Sequence, residues 1–296
     1  MPTKDERRAQ AAKHIALMKG AFSTSIEHSV EAAVVYEDGE ALDFELPEPR
    51  AQATDAYATT DFASAVVQRL GSDAKILVVD PASFTKPGGN YEDGGFGPEQ
   101  ALCSESTLYP VLRELKASFH DKNRGWACGQ LFTGRALYLP DIAFVRDGDV
   151  VNADVIAIAE PNRARAIENH RSDREVDRCI SDRIEAICRA AAVHGCDTLV
   201  TGAFGCGREA GDEELTIRLF SEWIEAHPGV IGTIVFAVPR AHFPAFAEAF
   251  GTRRTRRDER AERQAAEAAA RESSEGGSDD DFDFRSVKLP EGVTLR

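Results

Sequence analysis

Two glycine-bearing stretches each follow a short run of β-branched residues, and between them they hold most of the residues that could do chemistry. The first runs Asp80-PASFTK-Pro87-Gly88-Gly89-Asn90-YED-Gly94-Gly95-F-Gly97-Pro98-Glu99-Gln100-AL-Cys103. The second is Gly202-Ala203-Phe204-Gly205-Cys206-Gly207. Glycine lacks the Cβ that keeps a ligand away from the backbone, so amide N–H groups in such loops can meet a phosphate directly. At the end of a strand in an α/β sheet those groups are unpaired and point outward, which is where ligands sit. Backbone partial charges of this kind would let a strongly acidic chain hold a polyphosphate without cationic side chains. The plainer reading of either loop is a turn.

Familiar phosphate signatures are missing. No G-x-x-x-x-G-K-[ST] occurs, and GAFGCG does not fit G-x-G-x-x-G, which disfavours a nicotinamide dehydrogenase. Cys206 could be a nucleophile at a helix start, but a small residue needed for close packing is the simpler reading. Cys188 reads as core. His120, His170, His194 and His242 have no ligand-like spacing, so no metal or cofactor is expected. Trp126 and Trp223 read as packing residues, and Phe204 reads equally as a ligand contact or a core anchor.

These loops need a scaffold, and the chain alternates strand and helix signals in the order that supplies one. Strands are expected over residues 75–80, 141–146, 154–159, 198–201 and 232–238. Helices are expected over 176–194, stopped by Gly195, over 212–226 with Asp212, Glu213 and Glu214 at its positive end, and over 240–250. That order means an α/β layered fold around a largely buried sheet. Residues 160–174 carry Arg163, Arg165, Arg171 and Arg174, with Arg178 just beyond. They could cover a cleft, but a solvated connector paired with its own acids is the preferred reading.

The chain has 296 residues and a net charge of −15, with 43% hydrophobic residues, enough for one sizeable core. The acidity argues against tracking a nucleic-acid backbone. Six scattered cysteines without a C-x-x-C pair suit reduced thiols, and no apolar run is long enough for a bilayer. A cytoplasmic protein without a signal peptide, membrane contact or nucleic-acid backbone binding is expected. Three segments are expected: 1–74, helical and extended, packing on the core; 75–250, the ligand-binding core; and 251–296, a charged and largely disordered tail. The tail has no apolar face between 253 and 272, and a protein partner for it stays open.

In order and spacing, PGGN-x7-PEQALC-x2-STLY, LPDIAFVRDG, ADVIAIAEPN, DTLVTGAFGCG and IVFAV resemble the microbial-type poly(ADP-ribose) glycohydrolase family, a branch of the macrodomains. The resemblance implies a three-layer α/β/α macrodomain-like sandwich with a mixed, mostly parallel sheet, binding ADP-ribose or an ADP-ribosylated macromolecule at the strand ends. It places Asp80 where the family has its adenine-end acid or Asn, Gly88, Gly89 and Asn90 around the ribose, and residues 202–207 on the diphosphate. The family pattern is three glycines, a spacer and Gln-Glu-Glu. Here Asn90 replaces the third glycine, and Gln100 stands on the second glutamate, the family's main acid. A Gln cannot exchange a proton, and Glu99, about 100° away on the helix, is not expected simply to take over. After GAFGCG the family commonly carries an aromatic, where this chain has Arg208-Glu209-Ala210-Gly211-Asp212. Three readings follow. A glycohydrolase could use Glu99 as acid, helped by Glu92, Asp93, Glu105 or Glu209. A reader could bind ADP-ribose without cleaving it. The third is a binder of another nucleotide-derived ligand, with Asn90 and Glu209 reshaping specificity. From a different class, an adaptor working through the tail also stays open.

Overall fold

The computed structural model describes residues 2–207 and 212–253. The expectations for Arg208, Glu209 and the tail beyond residue 253 lie outside these described residues. In chain order the elements are α1 (Lys4–Ala21), α2 (Ser23–Glu31), β1 (Val34–Tyr36), β2 (Asp55–Thr59), α3 (Ala63–Leu70) and β3 (Ile76–Pro81). Next come α4 (Pro98–Ser104), α5 (Leu108–Glu114), α6 (His120–Asn123), β4 (Ala136–Arg146) and β5 (Asp149–Ile158). The described chain ends with α7 (Arg163–Glu168), α8 (Asp173–Val193), β6 (Thr198–Thr201), α9 (Glu213–Ala226), β7 (Thr233–Ala237) and α10 (Phe243–Phe250).

Seven strands form one sheet in the order β1-β4-β5-β3-β6-β7-β2. β1/β4 and β4/β5 are antiparallel, and the remaining four pairings are parallel, giving the expected mixed, mostly parallel sheet. Helices cover both faces. Along β3, Leu77 and Val79 enter a core with α8, α9 and α10, while Ile76 and Val78 enter a second core with α3, α4 and α5. β5 does the same with Ile156 and Ile158 against Val155 and Ala157. This alternation follows from the two-residue period of a strand, and it directs Asp80 toward the α4–α5 side with Ile76 and Val78.

The expected strands and helices are present, with differences of extent and placement; β5, for one, begins at Asp149, five residues before the expected strand. Residues 141–146 are only the second half of a longer β4, whose register shifts between Leu139 and Ile142. Pro140 sits at that shift and Asp141 takes φ +55°, so a bulge interrupts the strand pattern. α8 begins three residues before the expected position because Ser172 and Glu175 form a reciprocal cap ahead of the apolar stripe. Both sheet edges, β1 and β2, come from the 1–74 segment. At its other end α8 stops as expected, with Gly195 at φ +72°. No described helix is long and apolar enough to cross a membrane.

α8 carries Arg183, Ile180 and the wall behind the second glycine loop, so its cap is coupled to the site. Ser172→Ala should lower unfolding free energy by about 0.5–2 kcal/mol, read from the urea midpoint at unchanged m-value. An unchanged midpoint would remove the cap from the forces that fix this helix.

Candidate functional site

The site begins at the exit of β3. Asp80 is fully buried, and neither carboxylate oxygen has a hydrogen-bond partner. The chain then turns through Gly88 and Gly89, both left-handed at φ +63° and +55°. Neither tolerates a side chain. A Cβ on Gly88 would lie 2.5 Å from the Tyr109 ring, and one on Gly89 would lie 2.7 Å from Gln100 Nε2 and 3.0 Å from Glu99 Oε2. The turn is therefore pressed onto the two side chains beneath it.

Those side chains come from the first turn of α4, which opens with Pro98 in the position where a missing N–H costs nothing. Glu99, Leu102 and Cys103 share the buried face at helical spacing, so Glu99 is carried inward with the core and is only 4% exposed. Its Oε2 accepts from the Ser83 amide at 3.0 Å and from Gln100 Nε2 at 3.4 Å, while Oε1 is without a partner. Gln100 Nε2 also donates to the Gly88 carbonyl at 3.0 Å. The expectation that helix geometry separates Glu99 from Gln100 is corrected here: both lie under Gly89 and line one cavity of about 340 Å³. Gly89 and Asn90 border the same cavity, as do Ser83 and Phe96.

Asp80 is corrected as well. Its carboxyl is fully buried rather than open to a ligand, and Glu99 senses its charge. Burial, and then the Asp80 charge, push the Glu99 carboxyl well above its usual range, while the backbone amides of Ser83 and Gly88 pull the other way. Burial raises Asp80 to about 8. Two carboxyls in one dry site cannot both ionise cheaply, so the pair resists full ionisation. The neighbouring Cys103 thiol is raised by the same burial and by both acids.

The second glycine loop is built differently from its expected role. The Gly205 amide already donates to Glu160 Oε1 at 2.8 Å, and the Cys206 amide donates to the Ala203 carbonyl at 3.1 Å. These two N–H groups are therefore taken, which corrects the expectation that the whole loop offers its amides to a diphosphate. The side chain of Phe204 is core, 2% exposed, and its carbonyl accepts from the Thr216 hydroxyl at 2.9 Å. Gly205 has φ +82°, and a Cβ there would lie 2.9 Å from Thr216 and 3.1 Å from Ile180. Gly202, Ala203 and Gly207 keep partial exposure. Burial raises the Cys206 thiol to about 12, so it serves packing rather than nucleophilic attack.

Sequence reasoning missed Glu160, whose carboxyl is raised to about 7 by burial against the pull of the Gly205 amide and Arg183. Its signal was its place directly after β5, beside the loop that follows β6. Phe96 was missed too. It is 57% exposed at the cavity rim, where an aromatic face could meet a ligand. The suggested helpers are occupied elsewhere: Glu92 pairs with Arg113 at 2.8 Å, Asp93 with Lys86 at 2.9 Å and Glu105 with Arg146 at 3.3 Å. Arg163 pairs with Asp173 at 2.7 Å and with Asp177, which makes this arginine a structural connector. Trp223 packs as expected, but Trp126 is 58% exposed.

A carboxyl with a folded pKa above its unfolded value holds its proton more tightly in the fold. Its stabilising effect is complete below about pH 4 and is lost as pH rises toward 8. Asp80→Asn removes that dependence. The variant's Tm should therefore gain on wild type between pH 5 and pH 8, by about 2–4 °C per kcal/mol recovered. Parallel Tm profiles would show that Asp80 does not hold a proton in the fold.

Residues 8–147 match the family described as microbial-type PARG, catalytic domain. The poly(ADP-ribose) glycohydrolase of Thermomonospora curvata superposes with a TM-score of 0.74 at 25% identity, covering 82% of this chain and 99% of that one. The same protein bound to the inhibitor ADP-HPD gives 0.70 at 26% identity, with coverage of 82% and 99%. The Deinococcus radiodurans enzyme in complex with ADP-ribose gives 0.66 at 23% identity, with coverage of 76% and 98%, a likeness of fold. No curated protein sequence matches the chain. The match of residues 8–147 to the microbial-type PARG catalytic domain spans the first loop, and the α/β fold is similar to that of these bacterial glycohydrolases.

Proposed function

We propose that this protein binds ADP-ribose on modified macromolecules and hydrolyses the ribose linkage with Glu99 as the acid. The observation that carries the reading is the Glu99 carboxyl: buried, raised by its surroundings, and lining the cavity under the Gly88–Gly89 turn. Cleaving a glycosidic bond passes through an oxocarbenium-like state, and an acid must protonate the leaving oxygen. Ser83 and Gln100 donate to Oε2, which keeps that oxygen an acceptor and leaves Oε1 to carry the proton. Water then adds to the anomeric carbon, and the Glu99 carboxylate takes up its proton, restoring the acid.

Each remaining residue has a supporting role in this reading. Asp80 is a positioning residue: two buried carboxyls this close cannot both ionise cheaply, so its presence favours the protonated form of Glu99. Gln100 orients a ribose hydroxyl, and Gly88, Gly89 and Asn90 wrap the ribose. Residues 202–207 seat the diphosphate through the amides that remain free of internal bonds, with Glu160 bracing Gly205. The ligand-binding core is residues 75–250, closed at both sheet edges by strands from 1–74, and 251–296 is the tail. Six free cysteines accord with a cytoplasmic setting. No cofactor is needed by this chemistry.

A second reading, a reader that binds without turnover, is favoured by Gln100 at the position of the family's main acid. One variant separates the two. Glu99→Gln should retain ADP-ribose binding within a fewfold while lowering kcat by about 10²–10⁴. The wild-type rate should fall on the alkaline side with a pKa above the ordinary carboxyl range, because the proton donor is then lost. Equal background release of ADP-ribose by wild type and variant would leave the reader. No binding of ADP-ribose by wild type would end both readings.

A further inference from the structure

Glu160 stands directly after β5, where it reaches the loop that follows β6. Its Oε1 accepts from the Gly205 amide at 2.8 Å, and a Cβ on Gly207 would lie 3.5 Å from its Oε2. The carboxyl therefore spans the loop from Gly205 to Gly207, while the residue keeps partial exposure. An amide in such a loop is what a phosphate oxygen would bond. Here a side chain of the protein already holds it, and its ionised form carries a charge of the same sign as the ligand.

The groups around Glu160 do not cancel that charge by direct contact. Arg183 of α8 is 2% exposed and lies one turn on from Ile180, which packs against Gly205. Its hydrogen bonds go to carbonyls, those of Cys179 and Leu131 at 2.8 Å and that of Thr133 at 3.2 Å, and its Nε has no partner. Arg163 of α7 is held by Asp173 and Asp177. At the start of α9, Asp212 caps the Leu215 amide and Glu213 bonds His242 at 2.8 Å. The Cys206 thiol, pushed up to about 12 by burial, stays neutral. Among the described residues the cation that acts on Glu160 is Arg183, through space, and burial outweighs its pull.

We propose that Glu160 couples ligand binding at this loop to the uptake of one proton, so that its protonation state sets the affinity for ADP-ribose. This rests on the reading of residues 202–207 as the diphosphate seat. With its carboxyl raised to about 7, Glu160 is divided between its two forms in the free protein near neutral pH. A diphosphate brought onto the same loop repels the charged form and favours the neutral one. The proton comes from solvent and adds to Oε2, while Oε1 continues to accept the Gly205 amide. A ligand that prefers the protonated form raises the carboxyl's pKa, so binding tightens as pH falls. Glu160 is in this way a positioning residue whose charge decides how well the loop accepts an anion.

The test uses the full chain carrying Glu99→Gln, so that nothing is cut, with and without Glu160→Gln, which keeps an oxygen for the Gly205 amide. ADP-ribose is titrated by calorimetry from about pH 6 to about pH 9, in buffers of different ionisation enthalpy that report protons taken up. On the alkaline side the parent should take up close to one proton per ligand and lose up to about tenfold in affinity per pH unit. Glu160→Gln should take up correspondingly fewer protons and bind about tenfold more tightly than the parent near pH 9, with the two alike near pH 6. Asp80 and His242 are common to both proteins, so the difference between the curves isolates position 160. Glu160→Ala, which removes the charge in another way, should show the same loss of proton uptake. Parallel pH curves with equal proton uptake would overturn the inference. Loss of binding by both Glu160 variants at every pH would reduce the residue to a brace for the loop, and would overturn it too. If the parent does not bind ADP-ribose at any pH, the reading of the diphosphate seat fails and this one with it.

Discussion

Two buried carboxyls with too few partners are the constraint around which this cleft is organised. Asp80 and Glu99 are carried inward by different elements, one by the pleat of β3 and the other by the apolar face of α4. Neither element can turn its acid to solvent without also turning out core residues such as Val78 or Cys103. Dry surroundings and mutual repulsion then favour the neutral forms, at a cost that the packing of both elements must offset. A site that stores such a cost invites a functional explanation, because perturbed acids in a cleft are what proton transfer needs.

The Gly88–Gly89 turn completes the arrangement. Two consecutive left-handed residues bring the backbone down onto Glu99 and Gln100, and the clearances there leave no room for a Cβ. Adjacent helix residues normally diverge, yet these two reach one cavity because the cover is close and α4 has only just begun. The same closeness gives Glu99 the Ser83 amide as a partner, so one oxygen is held as an acceptor and the other is left for a proton. One residue before Gln100, a buried carboxyl thus borders the cavity, backed by a second acid.

Much of the scaffold was legible in the chain. The β-branched runs at residues 75–80 and 198–201 marked the two central strands, and the stripe ending at Gly195 marked α8. Pro140 concealed half of β4, because a strand pattern broken by a proline and a left-handed aspartate does not read as one strand. The site was legible as loops but not as bonds. Nothing local in the sequence says that Glu160 will occupy the Gly205 amide, or that Asp80 will face Glu99 across 19 positions of chain. Both depend on which strands become neighbours, and on a parity that only the assembled sheet fixes. The N-terminal helix shows the same limit: nothing local in its sequence sets Lys4, Arg7 and Arg8 against Asn90 and Gly95, as the structure does.

The protonation state of Glu99 can be observed without substrate. Infrared difference spectra between wild type and Glu99→Gln at neutral pH should contain the carbonyl stretch of a neutral carboxylic acid that moves on deuteration. In Asp80→Asn, with the second ionisable carboxyl gone, the Glu99 proton should be lost at a lower pH than in wild type. A carboxylate signature for Glu99 at neutral pH, unchanged by Asp80→Asn, would contradict the shared-burial account of this site.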